Sequence, residues 1–210
     1  MRAERASKPR IFLASGNQKK ILEMQRILGE QVPGLEVLGI DDVDGYVEPV
    51  EDQPTFEGNA LLKARAGVAA TGLPTVADDS GLCVAALNDM PGVLSARWSG
   101  PPKSDQRNNE LLLAQLDDVP DERRGAYFRC AIVCVLPGGK EIIEHGRMLG
   151  RIIREPRGTG GFGYDSLFVA TEHWESGLTS AELDQAEKER ISHRGIALRN
   201  LAPRIAKALR

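Results

Sequence analysis

The sequence predicts an α/β fold, in which short apolar strand segments alternate with amphipathic helices. Ile11–Ala14 is a compact apolar run, and apolar residues at helical spacing follow it from Ile21 to Leu28. A second apolar helix face is predicted over Thr55–Ala70. The clearest strand is Ala126–Leu136, where apolar side chains alternate with others at its start, and a Pro-Gly-Gly turn connects it to a hairpin partner at Lys140–Arg147. Helices interleaved with strands in this way are typical of α/β proteins.

The remaining elements follow from weaker patterns. Short apolar segments predict strands at Leu35–Ile40, Gly150–Ile153 and Ser166–Val169. Ser104 is a suitable cap for a helix that runs to Leu116, and Thr179 and Glu182 have capping-box spacing for another short helix. The final helix places apolar residues on one face over Leu198–Leu209.

Composition restricts the classes of function. The 210 residues are 41% hydrophobic and 27% charged, which indicates a globular protein. A net charge of −3 argues against general nucleic-acid binding, which requires a basic face, but a local basic pocket for a small anion remains compatible. The apolar runs are too short to span a membrane, so we expect no membrane partner.

The three cysteines and the N-terminus bear on location and domain limits. Cys83, Cys130 and Cys134 all lie in apolar runs, so we expect buried, reduced thiols and a cytoplasmic protein. Residues 1–9 are polar and predict a disordered tail. Residues 10–210 are then one domain, since no linker or repeat interrupts them.

Adjacent carboxylates at Asp78 and Asp79 lie between two apolar runs, with Ser80-Gly81 after them. A buried carboxylate requires a partner cation or a metal ion, so the pair predicts a metal or general-base site. A polar turn at Ser80-Gly81 is an equally suitable interpretation of this stretch alone. If the strand continues, the two Asp side chains point to opposite faces.

The first strand is followed by a polar loop that opens a helix, over Ser15-Gly16-Asn17-Gln18-Lys19-Lys20. Free backbone N–H groups at a helix start attract anions, and the lysines add positive charge. This favours phosphate binding. The alternative is a helix cap by Ser15 or Asn17 with solvated lysines.

The stretch Gly158–Asp165 is rich in glycine and contains Phe162 and Tyr164. It matches the dinucleotide-binding pattern in letters, but a strand and not a helix follows it, so we reject that interpretation. A glycine-rich loop beside aromatic rings instead favours close approach of a flat ligand or a phosphate. A tight loop without a ligand is the alternative.

Each of these stretches borders a predicted strand, where ligands of α/β proteins collect. Carboxylates suit Mg²⁺, lysines suit phosphates, and an aromatic ring suits a nucleobase. Lys188 and the His193-Arg194 pair add further polar groups near the last helix. Together they indicate a nucleoside triphosphate with a divalent metal ion.

From residue 11 to about residue 201, the chain resembles the inosine triphosphatase family of nucleoside-triphosphate pyrophosphatases. The resemblance is carried by Ser15-Gly16-Asn17 with Lys20, Thr55-Phe56 through Lys63-Ala64, Ala77–Gly81, Pro91-Gly92 with Ser95-Ala96-Arg97, Gly158–Asp165, and Lys188 with Ile191–Gly195. It implies a long curved mixed sheet flanked by helices, in two lobes with a central cleft, and a homodimer.

The resemblance also implies an activity: Mg²⁺-dependent hydrolysis of dITP, ITP, XTP or dXTP to the monophosphate and pyrophosphate. It implies that Asp79 is the general base and a metal ligand. Family members often carry an acid before the Asn-Ala pair, where this chain has Gly58, so we favour Glu51 as the second metal ligand. The substrate contacts it implies are Ser15, Gly16, Asn17, Gln18, Lys19, Lys20, Lys63, Ser80, Phe162, Gly163, Tyr164, Asp165, Lys188, His193 and Arg194.

Two alternatives remain at this stage. One is a pyrophosphatase for modified pyrimidine or methylated nucleotides, and the other is a non-catalytic nucleotide-binding protein. Lys63 by itself, as a lone helix lysine off the apolar face, is expected to be solvated.

Overall fold

The computed structural model describes residues 8–209, so most of the tail expected at residues 1–9 lies outside the described residues. Its strands are β1 Arg10–Leu13, β2 Glu36–Leu38, β3 Thr75–Val84, β4 Met90–Pro91, β5 Gly125–Val135, β6 Glu141–Ile152 and β7 Phe168–Ala170. Its α-helices are α1 Gln18–Gln31, α2 Phe56–Thr71, α3 Asp105–Gln115, α4 Gln185–Ile191 and α5 His193–Ala208. Within residues 8–209, no helix is both long and apolar enough to cross a membrane.

The strands form one mixed sheet in the order β2-β1-β3-β5-β6-β7, with β4 paired to β3. β1 is parallel to both β2 and β3, whereas β3 and β4, like β6 and β7, are antiparallel. The predicted hairpin of β5 and β6 forms, and the Leu136 N–H donates to the Lys140 carbonyl at 2.9 Å across its turn. The α/β class and the mixed sheet expected from the sequence are confirmed.

The described chain forms two compact units. The first unit contains residues 8–79, 131–144 and 197–209, and the second unit contains residues 80–130 and 145–196.

The core of the first unit joins α2 to the sheet. Ala60 and Ala64 of α2 pack in one buried cluster with Phe12 of β1. Gly67 continues this contact, since a Cβ atom there would lie 2.5 Å from Thr75 Cγ2 and 2.9 Å from the Phe12 ring. Small residues therefore let α2 lie close to β1 and β3. The predicted helix and its apolar face are confirmed.

The core of the second unit contains a buried arginine that donates to backbone carbonyls. Arg124 is 2% exposed, and its guanidinium donates to the carbonyls of Leu116 at 2.5 Å and Ile152 at 3.0 Å. Beside it lies an apolar cluster that includes Phe128 and Phe168, whose ring centroids are 4.7 Å apart. Carbonyl acceptors on several elements thus compensate the cost of burying this charge.

Two local predictions, the turn at Ser80-Gly81 and the helix opened by Thr179, are wrong. β3 continues through Ser80 to Val84, so the turn interpretation fails. Glu182 does accept a hydrogen bond from the Thr179 N–H at 2.8 Å, but no helix begins there, and α4 starts instead after its cap Asp184. The strand expected at Gly150–Ile153 forms as the end of the long strand β6, where it pairs with β7.

The cysteines are free and buried, as expected for Cys83, Cys130 and Cys134. Burial raises the pKa of the Cys134 thiol to about 12, which keeps it protonated at neutral pH. They therefore serve as small apolar core residues.

Candidate active site

The two carboxylates of β3 have different partners. Asp78 is 6% exposed, and both of its oxygens accept hydrogen bonds from Lys20 Nζ, at 3.0 and 3.1 Å. Asp79 is half-buried, and its Oδ2 accepts a hydrogen bond from Asn59 Nδ2 at 2.8 Å. The strand alternation expected from the sequence explains why the two side chains meet different neighbours.

Lys63 is buried, so the expectation that it is solvated was wrong. Its ammonium donates to Glu51 Oε1 at 2.5 Å and to the backbone carbonyl of Asp78 at 2.7 Å. Burial alone would lower the pKa of Lys63, but the nearby carboxylates of Asp78 and Glu51 outweigh this effect and raise it. Lys63 therefore stays charged and compensates the acids around it.

Asn59 and Lys63 lie one turn apart on α2 and together connect the segment of Glu51 to β3. Asn59 is fully buried, and its Oδ1 accepts a hydrogen bond from the Gln53 N–H at 2.9 Å. Because a backbone N–H can only donate, this bond fixes the amide so that Nδ2 faces Asp79. Sequence reasoning did not assign Asn59 a role of its own.

The glycine at position 58 has a packing reason. A Cβ atom on Gly58 would lie 2.8 Å from the Gln53 Cβ. The segment that carries Glu51 thus occupies the space that an acidic side chain at position 58 would need. The metal role of Glu51 stays a prediction.

At the start of α1 the polar loop forms a helix cap. Asn17 Oδ1 accepts from the N–H groups of Lys19 at 3.0 Å and Lys20 at 3.4 Å, and Ser15 Oγ accepts from the Asn17 N–H at 3.2 Å. The predicted cap is confirmed, but Lys20 is not solvated, because its ammonium donates to Asp78. The cap engages the N–H groups of Lys19 and Lys20, so these groups are not free for an anion as the sequence suggested. Gly16, Asn17, Gln18 and Lys19 are exposed, and the phosphate role of the loop remains a prediction.

No three His, Cys, Asp or Glu side chains within the described part of the chain lie close enough together to hold a metal ion by themselves. Mg²⁺ commonly binds to one or two carboxylates and completes its shell with water and substrate phosphates. Asp79 and Glu51 supply carboxylate oxygens of that kind, and both are tied to α2 by hydrogen bonds. The residues present therefore fit a magnesium ion that a bound triphosphate would help to hold.

The glycine-aromatic loop, Gly158–Asp165, is organised by one ion pair. Asp165 Oδ2 accepts hydrogen bonds from Lys188 Nζ at 2.6 Å and from the Phe162 N–H at 2.9 Å. At Gly161, which has a φ of 75°, a Cβ atom would lie 2.3 Å from Asp165 Oδ2 and 2.4 Å from Lys188 Nζ. Glycine is thus required there for the ion pair to form.

Within this loop the two aromatic side chains have opposite environments. Phe162 is 69% exposed, and Lys188 Nζ lies 5.8 Å from the centroid of its ring. Tyr164 is buried, and its hydroxyl donates to the Ser95 carbonyl at 2.9 Å. Burial, with the charge of Asp105 as a smaller cause, raises the pKa of Tyr164, so the hydroxyl remains a donor.

Gly163 is held by two residues that sequence reasoning missed. Its N–H donates to Asp105 Oδ2 at 2.6 Å, and its carbonyl accepts from Asn109 Nδ2 at 3.0 Å. Asp105 and Asn109 lie one turn apart on α3, which gives them a common face. Their spacing is visible in the sequence, but the target of that face is not.

His193 and Arg194 occupy the first turn of α5. The His193 ring stacks on Phe128, with centroids 5.1 Å apart and an interplanar angle of 13°. Arg194 and Ser80 are half-buried. The structure thus anchors His193 through ring packing, which sequence reasoning had not foreseen for this residue.

The structure therefore brings together two groups of the predicted residues, one in each unit. In the first unit, hydrogen bonds and ion pairs connect Lys20, Glu51, Lys63, Asp78 and Asp79. In the second unit, they connect Phe162, Asp165 and Lys188, with Gly163 and Tyr164 in the same loop.

Comparisons with known proteins show the family of the chain. The model of the Ham1 family matches residues 11–204. A protein of Nocardia farcinica named dITP/XTP pyrophosphatase is 57% identical over 198 residues, covering 94% of this chain and 95% of its own length. One of the same name from Corynebacterium glutamicum strain R is 54% identical over 199 residues, covering 94% and 97%.

Solved structures show the same fold. A dITP/XTP pyrophosphatase from Mycobacterium abscessus has a TM-score of 0.77 at 52% identity, covering 92% of this chain and 99% of its own. A HAM1 protein from Coxiella burnetii has a TM-score of 0.86 at 39% identity, covering 95% and 99%.

Proposed function

Since the chain belongs to the Ham1 family, we propose that it hydrolyses dITP, ITP, XTP and dXTP between the α and β phosphates, with Mg²⁺, to the monophosphate and pyrophosphate. Two relatives named dITP/XTP pyrophosphatase are more than half identical to this chain over nearly its whole length. They support its activity as a pyrophosphatase for non-standard purine nucleoside triphosphates. The proposed Mg²⁺-dependent hydrolysis is supported by the position of Asp79, which Asn59 holds next to two lysine–carboxylate pairs.

On the phosphate side, Asp79 accepts the proton of the attacking water, and the hydrogen bond from Asn59 holds its carboxylate in place. Lys20, at the start of α1, binds the triphosphate as a point charge. Asp79 and Glu51 would hold a magnesium ion, which when bound supplies neutralisation of the charge that develops on the pyrophosphate leaving group. Lys63 keeps Glu51 and the backbone of Asp78 in place for this arrangement.

On the base side, the exposed Phe162 ring stacks on the purine, and Lys188 holds the loop through Asp165 while remaining near the ligand. Arg194 and His193 donate hydrogen bonds to the 6-oxo group of inosine and xanthosine. Adenine carries an amino group at this position and would leave these donors unpaired, which is a strong basis for discrimination.

The proposal also includes the organisation of the protein. Residues 10–210 form one pyrophosphatase domain, and the functional protein is a homodimer. Both statements rest on the resemblance to the family, and size-exclusion chromatography with light scattering tests the second.

Pyrophosphate release with dITP, XTP, dTTP and ATP, each with Mg²⁺ and with excess EDTA, tests the proposed activity. We expect Mg²⁺-dependent release of pyrophosphate with dITP and XTP, and much slower release with ATP. Preferential turnover of dTTP would instead indicate a pyrimidine pyrophosphatase. Binding of dITP without any turnover would indicate a nucleotide-binding protein.

A further inference from the structure

Two residues of α3 hold the backbone of the glycine-aromatic loop from both sides. The Gly163 N–H donates to Asp105 Oδ2 at 2.6 Å, and the Gly163 carbonyl accepts from Asn109 Nδ2 at 3.0 Å. Gly163 has a φ of 62°, so the chain changes direction there in a conformation that favours glycine. Both polar groups of this turn are therefore fixed by one rigid helix, directly beside Phe162.

The amide of Asn109 is not used fully for stability. Its Oδ1 atom is buried and has no hydrogen-bond partner among residues 8–209. An unsatisfied buried acceptor costs free energy, about 1–3 kcal/mol, whereas an apolar residue at position 109 would avoid that cost. The bond from Nδ2 to Gly163 is therefore the feature that explains an asparagine at this position.

Two further N–H groups of the loop are also engaged within the protein. The Gly160 N–H donates to the Ala181 carbonyl at 3.0 Å, and the Phe162 N–H donates to Asp165 Oδ2 at 2.9 Å. The group that this rigid backbone presents to solvent is the Phe162 ring, which is 69% exposed. An exposed ring on a fixed backbone loses little entropy when a flat ligand stacks on it.

We propose that Asp105 and Asn109 are positioning residues that fix the Phe162 ring for stacking on the nucleobase. This inference rests on the proposed function, because it assumes that the ligand carries a base. Stacking is tolerant of base identity, since every base has a π face. The two residues therefore contribute affinity that is common to all bases, and they do not contribute to the choice between inosine and adenosine.

Asn109→Asp is the sharpest test. It keeps the shape of the side chain but places a carboxylate oxygen against the Gly163 carbonyl, which removes the donor and adds repulsion. Asp105→Ala removes the acceptor for the Gly163 N–H. Gln106→Ala is the matched control, because Gln106 bonds to Glu110 at 2.9 Å with the same spacing on the same helix.

The measurements are the dissociation constants of dIMP and dAMP by calorimetry, and KM and kcat with dITP. For Asn109→Asp and Asp105→Ala we expect both dissociation constants and KM to rise about five- to twentyfold, with their ratio unchanged, which is the size of one stacking contact. We expect kcat to change less than about threefold, and Gln106→Ala to match the wild type.

Combination with Phe162→Ala decides whether the two residues act through the ring. In that background, Asn109→Asp should weaken dIMP binding less than about twofold further, since the contact that it positions is already absent. An equal, additive loss in both backgrounds would overturn the proposal, as would a loss of kcat at constant KM.

If Asn109→Asp does not fold, Asp105→Asn is used instead, because it weakens the bond that Asp105 accepts from the Gly163 N–H. Its effect on dIMP binding must likewise vanish in the Phe162→Ala background. Failure of the proposed function is separable from failure of this inference. Absence of dITP turnover in the wild type would reject the former, whereas additive losses of dIMP binding would reject the latter.

Discussion

The two groups of candidate residues are held in place by different physical means. In the first unit, lysines and carboxylates compensate one another, as in the pairs Lys20–Asp78 and Lys63–Glu51. In the second unit, side chains mainly hold the backbone of a loop, with Lys188–Asp165 as its ion pair. One group is an electrostatic cluster, and the other is a scaffold that presents an aromatic ring.

This difference determines what a substitution does. Removing one charge from the electrostatic cluster leaves its partner uncompensated in a partly buried site, so stability and chemistry change together. Truncating Asp105 or Asn109 leaves no buried charge behind, because each bonds to a backbone group of Gly163 and not to an ion, so ligand affinity changes while the fold persists.

Asp79→Asn should lower kcat for dITP by about 10²–10⁴-fold, the range that a general base contributes. The fold should persist, because the new amide can turn its oxygen toward Asn59 Nδ2 and keep that bond. Steady-state kinetics and thermal unfolding measure the two effects. Asp78→Asn is the comparison. A greater loss of kcat in that variant would mean that Asp78, and not Asp79, has the catalytic role.

Arg194→Ala should reduce the preference for ITP over ATP by about 10²-fold, from a discrimination on the order of 10⁴. The reason is that a donor to the 6-oxo group disappears while stacking on Phe162 remains. Values of kcat/KM for both nucleotides measure the ratio. An unchanged ratio would mean that other groups of the site distinguish the 6-oxo group from the amino group.

Lys63→Met should destabilise the protein by about 2 kcal/mol, which is less than a fully buried pair would cost because Glu51 is about one-third exposed. Since the folded pKa of Lys63 is raised above 10.5, its charge contributes stability below that pH. This contribution is lost as pH rises through the folded pKa. Wild-type and Lys63→Met unfolding curves should therefore converge above about pH 10.5, and a pH-independent difference would contradict the charge argument.

Lys20→Ala should weaken triphosphate binding about tenfold, because the lysine acts on phosphate as a point charge. It should also lower the thermal stability, because the buried Asp78 loses its cationic partner. Binding of the monophosphate should change less, since that ligand lacks the β and γ phosphates. Calorimetry with a non-hydrolysable dITP analogue and with dIMP makes the comparison. Equal losses for both ligands would exclude contact with the β or γ phosphate, and Lys19→Ala, which changes an exposed neighbour, serves as the control.

Local sequence patterns were sufficient to predict the strands and helices that have a strong hydrophobic period or a clear cap. Helix α2 begins after its cap Thr55, and α3 begins after its cap Ser104, as predicted. The patterns failed where pairing across the sheet overrode local turn chemistry, as at Ser80-Gly81, which lies within β3. Tertiary contacts can override propensity because each local preference is worth only a fraction of a kcal/mol.

The sequence by itself determined the α/β class, the family, and which stretches carry polar groups suited to a triphosphate. It determined these because periodicity, capping and charge are local properties of the chain. Only the tertiary structure decided that Lys63 is buried against Glu51, that Asn59 orients Asp79, and that Asp105 and Asn109 hold Gly163. Those contacts join residues far apart in the chain, and the partner of a buried polar group depends on which elements pack beside it, a property that no local pattern contains.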